Sequence, residues 1–506
     1  MQGWSEFFFA GGFAILKYIM YRARSKRAER RRLILTYTFV PVFVIGVVVL
    51  LVFYMLGYRF NLADHKVTQG GLMQLDSQPG GAMVTVDTYR LPGRTATRYD
   101  APAGLHTVTM QRDGYVPWQK SVTVEPGKIL WLNYARLIPQ KINQTTALSY
   151  KALSSSVASP GGQVIAMFSD ETKPELELIT LGDTVRQTKI TLPTALYQTS
   201  AKSRFAVMTL SGSGRYALVK HTKGQTHEWL LIDTRTPNQS RNLTTLIGQQ
   251  TDQPVFSTGS EQKLYALVDR TLRLVDADKQ TMSAPLVNDV AEMSQNAQGV
   301  IAYVTYASGT PRQRVAGYYT PGAAKPHVVR AFYDDGQSAL RLRIAEYAGD
   351  QYVVLQYGTT IEISQAQLLP SDDDHELQLT SVATLAVPDG ADYVSFSPTA
   401  RFVVSQHAST YLTYDLELNS LSTTSLKGES TVKSQLAWLD SYNVWSDRDG
   451  MLRLYEFDGA NAHTIGAIDA GQAVVLGAGG KYIYAFQSAS DKTAVNLVRF
   501  HLRVEQ

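Results

Sequence analysis

The sequence contains no cysteine among its 506 residues. That excludes disulfide staples, thiolate metal sites, a cysteine nucleophile and thiol redox chemistry. Beyond about residue 150 it also has no amphipathic helical pattern of useful length, which argues against a helical bundle or helical solenoid there. Charge of one sign is scarce outside the N-terminus. Residues 1–32 carry eight Lys and Arg against two Glu, about +6, which leaves about −2 of the chain's +4 for everything else. A nearly neutral remainder lacks the basic face of a nucleic-acid binder. What the chain has instead is 44% hydrophobic residues and 28 tyrosines, with Thr and Val recurring throughout. These residue types suit a pleated, half-buried surface and supply enough apolar material for packed cores.

The usual catalytic signatures are missing too. The nine histidines form neither HExxH nor a His-x-His pair. There is no G-x-S-x-G nucleophile elbow, and Gly479-Gly-Lys481 lacks the upstream glycine and the Ser or Thr of a phosphate loop. His221, His227 and Glu228 are near enough for a hairpin to join them, but two histidines without a third ligand read better as a surface turn. Asp447-Arg-Asp449-Gly450 has part of the spacing of a calcium loop, with Trp445 where the first acid should stand, so it reads as an Asp-Gly hairpin turn. Asp372-Asp-Asp-His375-Glu376 is the densest acidic cluster, a solvated loop or a weak cation site. A Ser–His–acid set assembled from remote positions stays open, because such residues need not be close in sequence. No catalytic, metal or cofactor residue is assigned.

Residues 33–58, LILTYTFVPVFVIGVVVLLVFYMLGY, form a charge-free run with Tyr37, Tyr54 and Tyr58 towards its ends. About 20 apolar residues span a bilayer, so the run predicts a single transmembrane helix contacting lipid. The basic residues 22–32 before it place the N-terminus in the cytoplasm and the bulk outside. Residues 4–20 are too short and too charged to span. They read as an interfacial amphipathic helix, or as sequence upstream of a true start at Met20.

After a polar linker at 59–70, residues 71–138 alternate short strands with turn signals. Leu72 to Leu75 leads through Pro79-Gly-Gly-Ala82 to Val84-Thr-Val86. Gly104-x-His106-x-Val108, Gly114-Tyr115, Val122-x-Val124 and Gly127 follow in order. This set resembles a PEGA domain, a small β-sandwich associated with surface layers, with Gly80 in place of the eponymous glutamate. The resemblance implies a non-enzymatic, envelope-facing module. His106 and Tyr115 read as a strand-face residue and a core residue of that sandwich rather than as a binding site.

A second linker is expected at 139–150. From 151 to 506 a loose unit recurs: a Ser- or Gly-led turn, an apolar strand, a polar turn and a second strand that often ends in Asp. Ser159-Pro-Gly-Gly162, Ser211-Gly-Ser-Gly214 with Asp233, Gly259 with Asp276, Ser397-Pro-Thr-Ala-Arg401 with Asp415, and Gly479 onward all fit it. Repeats of roughly 40–50 residues built from strands mean a β-propeller. The pattern resembles the TolB-like and WD-repeat propellers. The expected fold is therefore mainly β: a transmembrane helix, a small sandwich, and a seven- or eight-bladed propeller, with residues 300–380 fitting worst and taken as a blade with a long insertion. Two stacked β-sandwiches are the alternative.

Together these features predict a membrane-anchored protein, probing the space outside a bacterial plasma membrane for an envelope polymer or a protein ligand without catalysis. The bacterial assignment rests on size, since an extracytoplasmic part this large is stable without disulfides. The competing expectation is a propeller hydrolase acting on envelope peptides or glycans.

Overall fold

The computed structural model describes residues 35–55, 58–61, 66–371, 376–429 and 436–504. The basic N-terminal stretch and the acidic run Asp372 to His375 lie outside the described residues, as does His65. The first described segment is a π-helical turn, Leu35–Phe39, followed by an α-helix, Val40–Met55. The break falls at Pro41, which has no N–H to donate backwards and suits the first turn of a new helix. Sixteen residues rise about 24 Å, short of the roughly 30 Å hydrocarbon core. Among the described residues no helix is long and apolar enough to cross a membrane, so the transmembrane helix expected over 33–58 is not supported.

The chain divides into two compact units, one of residues 1–110 with 120–135, the other of residues 111–119 with 136–506. The first holds two four-stranded sheets. One pairs Tyr58–Asn61, Lys66–Gln78, Thr97–Pro102 and Ile129–Arg136; the other runs Tyr89–Arg94, Met83–Val86, Gly104–Gln111, Trp118–Val124. Alternate residues Met73, Leu75, Val84, Val86, Val108, Met110, Val124 and Leu132 are buried, as the period of a half-buried strand requires. The strand Lys66–Gln78 begins inside the stretch expected as a linker. Gly70 resembles a flexible joint in the sequence, but a Cβ there would lie 2.5 Å from the Ala101 carbonyl oxygen. Its glycine serves close packing of two backbones.

The second unit is a β-propeller of eight four-stranded sheets. They span residues 155–191, 203–242, 255–282, 290–333, 340–386, 393–425, 437–467 and 475–501, blades 1 to 8. First strands of neighbouring blades touch, as Leu340–Tyr347 touches both Val290–Gln295 and Tyr393–Phe396, so the first strands line the ring's middle. Second and third strands are buried on both faces between blades, and fourth strands such as Ser420–Ser425 are mostly exposed. That is why the middle strands, such as Val164–Phe168, read as continuous apolar runs. Gln144–Tyr150, expected in a linker, is the outer strand of blade 8, in register from Val495↔Tyr150 to Phe500↔Gln144. It closes the ring, and blade 1 packs Ile165 and Met167 against Tyr484 and Phe486 of blade 8. The awkward region 300–380 is two regular blades, with the extra length between the third and fourth strands of blade 5. There Leu369, Leu377 and Leu379 pack on the neighbouring core and Pro370 accepts a 2.9 Å hydrogen bond from the Tyr318 hydroxyl.

The recurring turn has a physical basis. At Ser159, Ser211, Asn296 and Ser397 a side-chain oxygen accepts from the N–H that opens the second strand, at 3.1, 3.0, 2.8 and 3.1 Å. Three residues after each lies a left-handed residue: Gly162, Gly214, Gly299 or Ala400. The Asp that ends the third strand has a partner as well. Arg215 grips Asp233 in blade 2 and Arg401 grips Asp415 in blade 6, each through two guanidinium nitrogens.

Candidate functional site

The sequence candidates disperse. His106 donates from Nδ1 to Asp87 at 2.7 Å and from Nε2 to the Pro102 carbonyl at 2.8 Å, while Asp87 also accepts from the Thr107 N–H. Burial presses the His106 pKa down, but these acceptors outweigh it and raise it. The Thr107 N–H and His106 hold Asp87 below the ordinary carboxylate value. Both groups are spent on each other. Tyr115 is buried, but within the second unit rather than in the small sandwich, and its hydroxyl accepts from the Val504 N–H at 2.9 Å. Asp449 is paired with Arg453 at 2.5 and 2.9 Å, and Asp447 accepts from the Gly471 N–H at 2.7 Å. Among the described residues no cluster of His, Asp and Glu could hold a metal ion. Gly479 and Lys481 form the first turn of blade 8.

His221 is not on a surface turn. It is fully buried in blade 2, with Nε2 3.0 Å from the Ser203 hydroxyl and Nδ1 2.9 Å from the Glu228 carboxylate. That is the order of a nucleophile, base and acid. The surroundings give it another task. The ring stacks on Phe205 at 4.7 Å and meets the edge of Tyr197 at 5.0 Å. Ser203 is 8% exposed and already accepts from the Ser200 N–H, and Glu228 accepts from the Gln198 N–H. The set ties the connection from blade 1 onto blade 2. His227 takes the other side of the hairpin, stacked edge-on against Trp229. The hairpin register, Lys223↔Thr226 and hence His221↔Glu228, was the available signal: once Gly224 is placed in the turn, the pairing follows.

The concave surfaces lie elsewhere, at the end of the ring that carries the turns between first and second strands. One cavity of about 420 Å³ spans blades 1 to 3 and is largely apolar, with Pro160, Leu210, Pro254, Val255 and Phe256 in its wall and Glu261 at its edge. Glu261 is held by the backbone and hydroxyl of Ser213, which outweigh burial and lower its pKa. A second cavity of about 380 Å³ spans blades 4 to 6 and includes Gln295, Asn296, Arg343, Glu346, Tyr393 and Ser395. Beside it Glu292 pairs with Arg343 at 2.5 Å and more loosely with Arg341 at 3.7 Å. Both volumes fall in the range of small-molecule sites. The repeat turns marked in the sequence contribute Pro160, Gly212 and Ser397 to Ala400 to these walls, but they read there as turns and not as a site.

Eight sequential four-stranded blades closed by an N-terminal strand define a β-propeller, and the smaller unit before it is a β-sandwich. Residues 71–137 match the PEGA domain model. No curated protein sequence matches the chain. Among solved structures, the C-terminal WD40 domain of Sif2 is similar at 10% identity and a TM-score of 0.43, covering 70% of this chain and 98% of that one. Porphyromonas gingivalis dipeptidyl peptidase 4 is similar at 11% identity and 0.46, covering 70% and 58%, and the tricorn protease at 11% and 0.41, covering 71% and 38%. Identities this low concern fold alone.

Proposed function

We propose that this is a non-catalytic binding protein of a bacterial cell envelope, anchored at the plasma membrane through residues 33–58 and presenting the PEGA module and the propeller outside it. The cavity-bearing end of the ring carries the binding part of this reading: it is concave and mixed in polarity. Support for the anchor is the charge-free run together with the exposure of the large apolar side chains Tyr37, Phe39, Val42, Phe43 and Leu50 along the described helix. The basic stretch before it sets the orientation.

The hydrolase reading would rest on Ser203, His221 and Glu228, whose spacing is right and whose burial is wrong. Two measurements test the proposal on the full chain. Protease added to intact spheroplasts should remove the propeller, and alkaline carbonate should leave the protein in the membrane pellet. Detergent-solubilised protein should be retained by its own cell-envelope fraction. Release by carbonate refutes the anchor, and absence of retention refutes envelope binding.

A further inference from the structure

The cavity across blades 4 to 6 differs from its neighbour across blades 1 to 3 in being more polar and balanced in charge. Its one wall cation, Arg343, is engaged by Glu292 at 2.5 Å, and its one wall carboxylate, Glu346, accepts from the Gln351 amide at 3.0 Å. Arg341 behind it is likewise committed, to the Gln356 side chain at 3.0 Å and the Ala391 carbonyl at 2.8 Å. Arg341 and Arg343 cancel Glu292 and Glu346, so a charged ligand would have to break an existing pair to find a counterion. What is not committed is neutral. The amide nitrogens of Gln295 and Asn296 are buried without a hydrogen-bond partner, a state that costs about 1–3 kcal/mol per group in general. Turning the Gln295 amide towards the cavity offers its N–H to an acceptor on a ligand and relieves that cost, whereas Asn296 is held by the Val300 N–H that its oxygen accepts. Hydroxyls of Ser395 and Thr399 and the rings of Tyr393 and Phe396 complete the wall.

From this we infer that the cavity across blades 4 to 6 binds a neutral saccharide unit, with the Gln295 amide donating to a ring hydroxyl and Tyr393 covering the apolar face of the sugar. The inference rests on the binding role proposed above and specifies its ligand. A saccharide matches on three counts. Its hydroxyls accept and donate in turn, as amides and serines require. Its axial C–H face packs on an aromatic ring. It carries no charge for the wall to neutralise. The volume of about 380 Å³ accommodates one or two sugar rings.

The test uses the detergent-solubilised full chain and ligand-observed saturation-transfer NMR. The neutral probes are methyl glucoside, methyl galactoside, N-acetylglucosamine and cellobiose. Glucuronate and glucosamine are the charged controls, and N-acetyl-trialanine amide is the peptide control. At least one neutral saccharide should bind with a Kd below about 10 mM. Gln295→Leu and Tyr393→Leu should each weaken that binding about tenfold while the thermal midpoint of the propeller stays in place. No neutral saccharide bound, charged sugars bound as well as neutral ones, the peptide bound in their stead, or binding indifferent to both variants would each overturn the inference. Retention on the cell-envelope fraction, run in parallel, separates the two ideas. Retention without sugar binding sinks the saccharide site and leaves the binding role standing. Variant-sensitive sugar binding without retention supports the site and sinks the envelope role.

Discussion

Blades 2 and 6 are built from the same parts and bury different ones. Each opens its second strand with a serine-capped turn, follows it with Arg then an aromatic residue, and ends its third strand with the Asp that the Arg grips. The Arg stands over that ring in both, 5.1 Å from Tyr216 and 5.2 Å from Phe402. Yet the Arg215 side chain is 35% exposed and that of Arg401 only 7%, with Glu417 as a second partner at 2.6 Å. The sixth residue of the second strand is histidine in both, and here the order reverses. His221 is fully buried, and the side chain of His407 is 41% exposed. In blade 2 the hairpin ladder runs on to Lys223↔Thr226, whereas in blade 6 His407↔Thr410 is the last pair before the turn. A repeat thus carries hydrogen-bond geometry from blade to blade, while burial, set by neighbours and hairpin length, decides what each bond is worth.

The largest effect should come from the arginines. Arg401→Ala removes a buried cation from two carboxylates, Asp415 and Glu417, and should cost about 3–5 kcal/mol, whereas Arg215→Ala removes a part-exposed cation from Asp233 alone and should cost less, about 1–3 kcal/mol. Urea unfolding followed by tryptophan fluorescence measures both, and equal losses would sink the burial argument. Next come the histidines. His221→Ala removes two buried hydrogen bonds and a packed ring, about 2–4 kcal/mol, while His407→Ala should stay within about 0.5 kcal/mol. A smaller effect is titratable. Burial raises the Asp233 pKa, but Arg215 and the Thr236 and Arg235 N–H groups outweigh it, so the folded value lies below the ordinary 3.8. Its contribution is therefore complete above that ordinary value and lost as pH falls through the folded one. Asp233→Asn should flatten the acid limb of the stability curve below about pH 4 and leave the neutral plateau parallel to wild type. An acid limb as steep as wild type would assign the loss to other carboxyls. The smallest pair has opposite signs. Ala400 sits at φ 61° where blade 2 has Gly214 at φ 73°. Ala400→Gly should stabilise by about 0.5–1 kcal/mol and Gly214→Ala should destabilise by about 1 kcal/mol or slightly more, since its Cβ would meet Val164 at 3.3 Å. Thermal melts of the two variants moving in the same direction would show that the turns are not equivalent.

Much of the propeller was legible because its turns need particular residues. A serine oxygen and, three residues on, a residue at positive φ recur at fixed spacing, so Ser159, Ser211 and Ser397 marked blades 1, 2 and 6. Blade 4 escaped because Asn296 does the work of serine there. The closing strand Gln144–Tyr150 escaped because its partner is at the far end of the chain, and no local pattern reports a pairing of that range. The transmembrane expectation came from apolar length, aromatic ends and the basic flank, none of which reports the change from π- to α-helix at Val40. The cavities were not legible as sites, although some of their wall, such as Ser397 to Ala400, lies in the repeat turns. Short runs from three successive blades form each wall, and they meet only when the blades pack side by side.

That closure also sets a timetable. The strand Gln144–Tyr150 finds its partner Val495–His501 only after some 345 further residues, from 150 to 495, have been made. At roughly 5–20 residues per second this is about 17–70 s of synthesis with one strand edge unsatisfied. During that interval seven blades can form in order, each on its predecessor, while the first strand waits for the last.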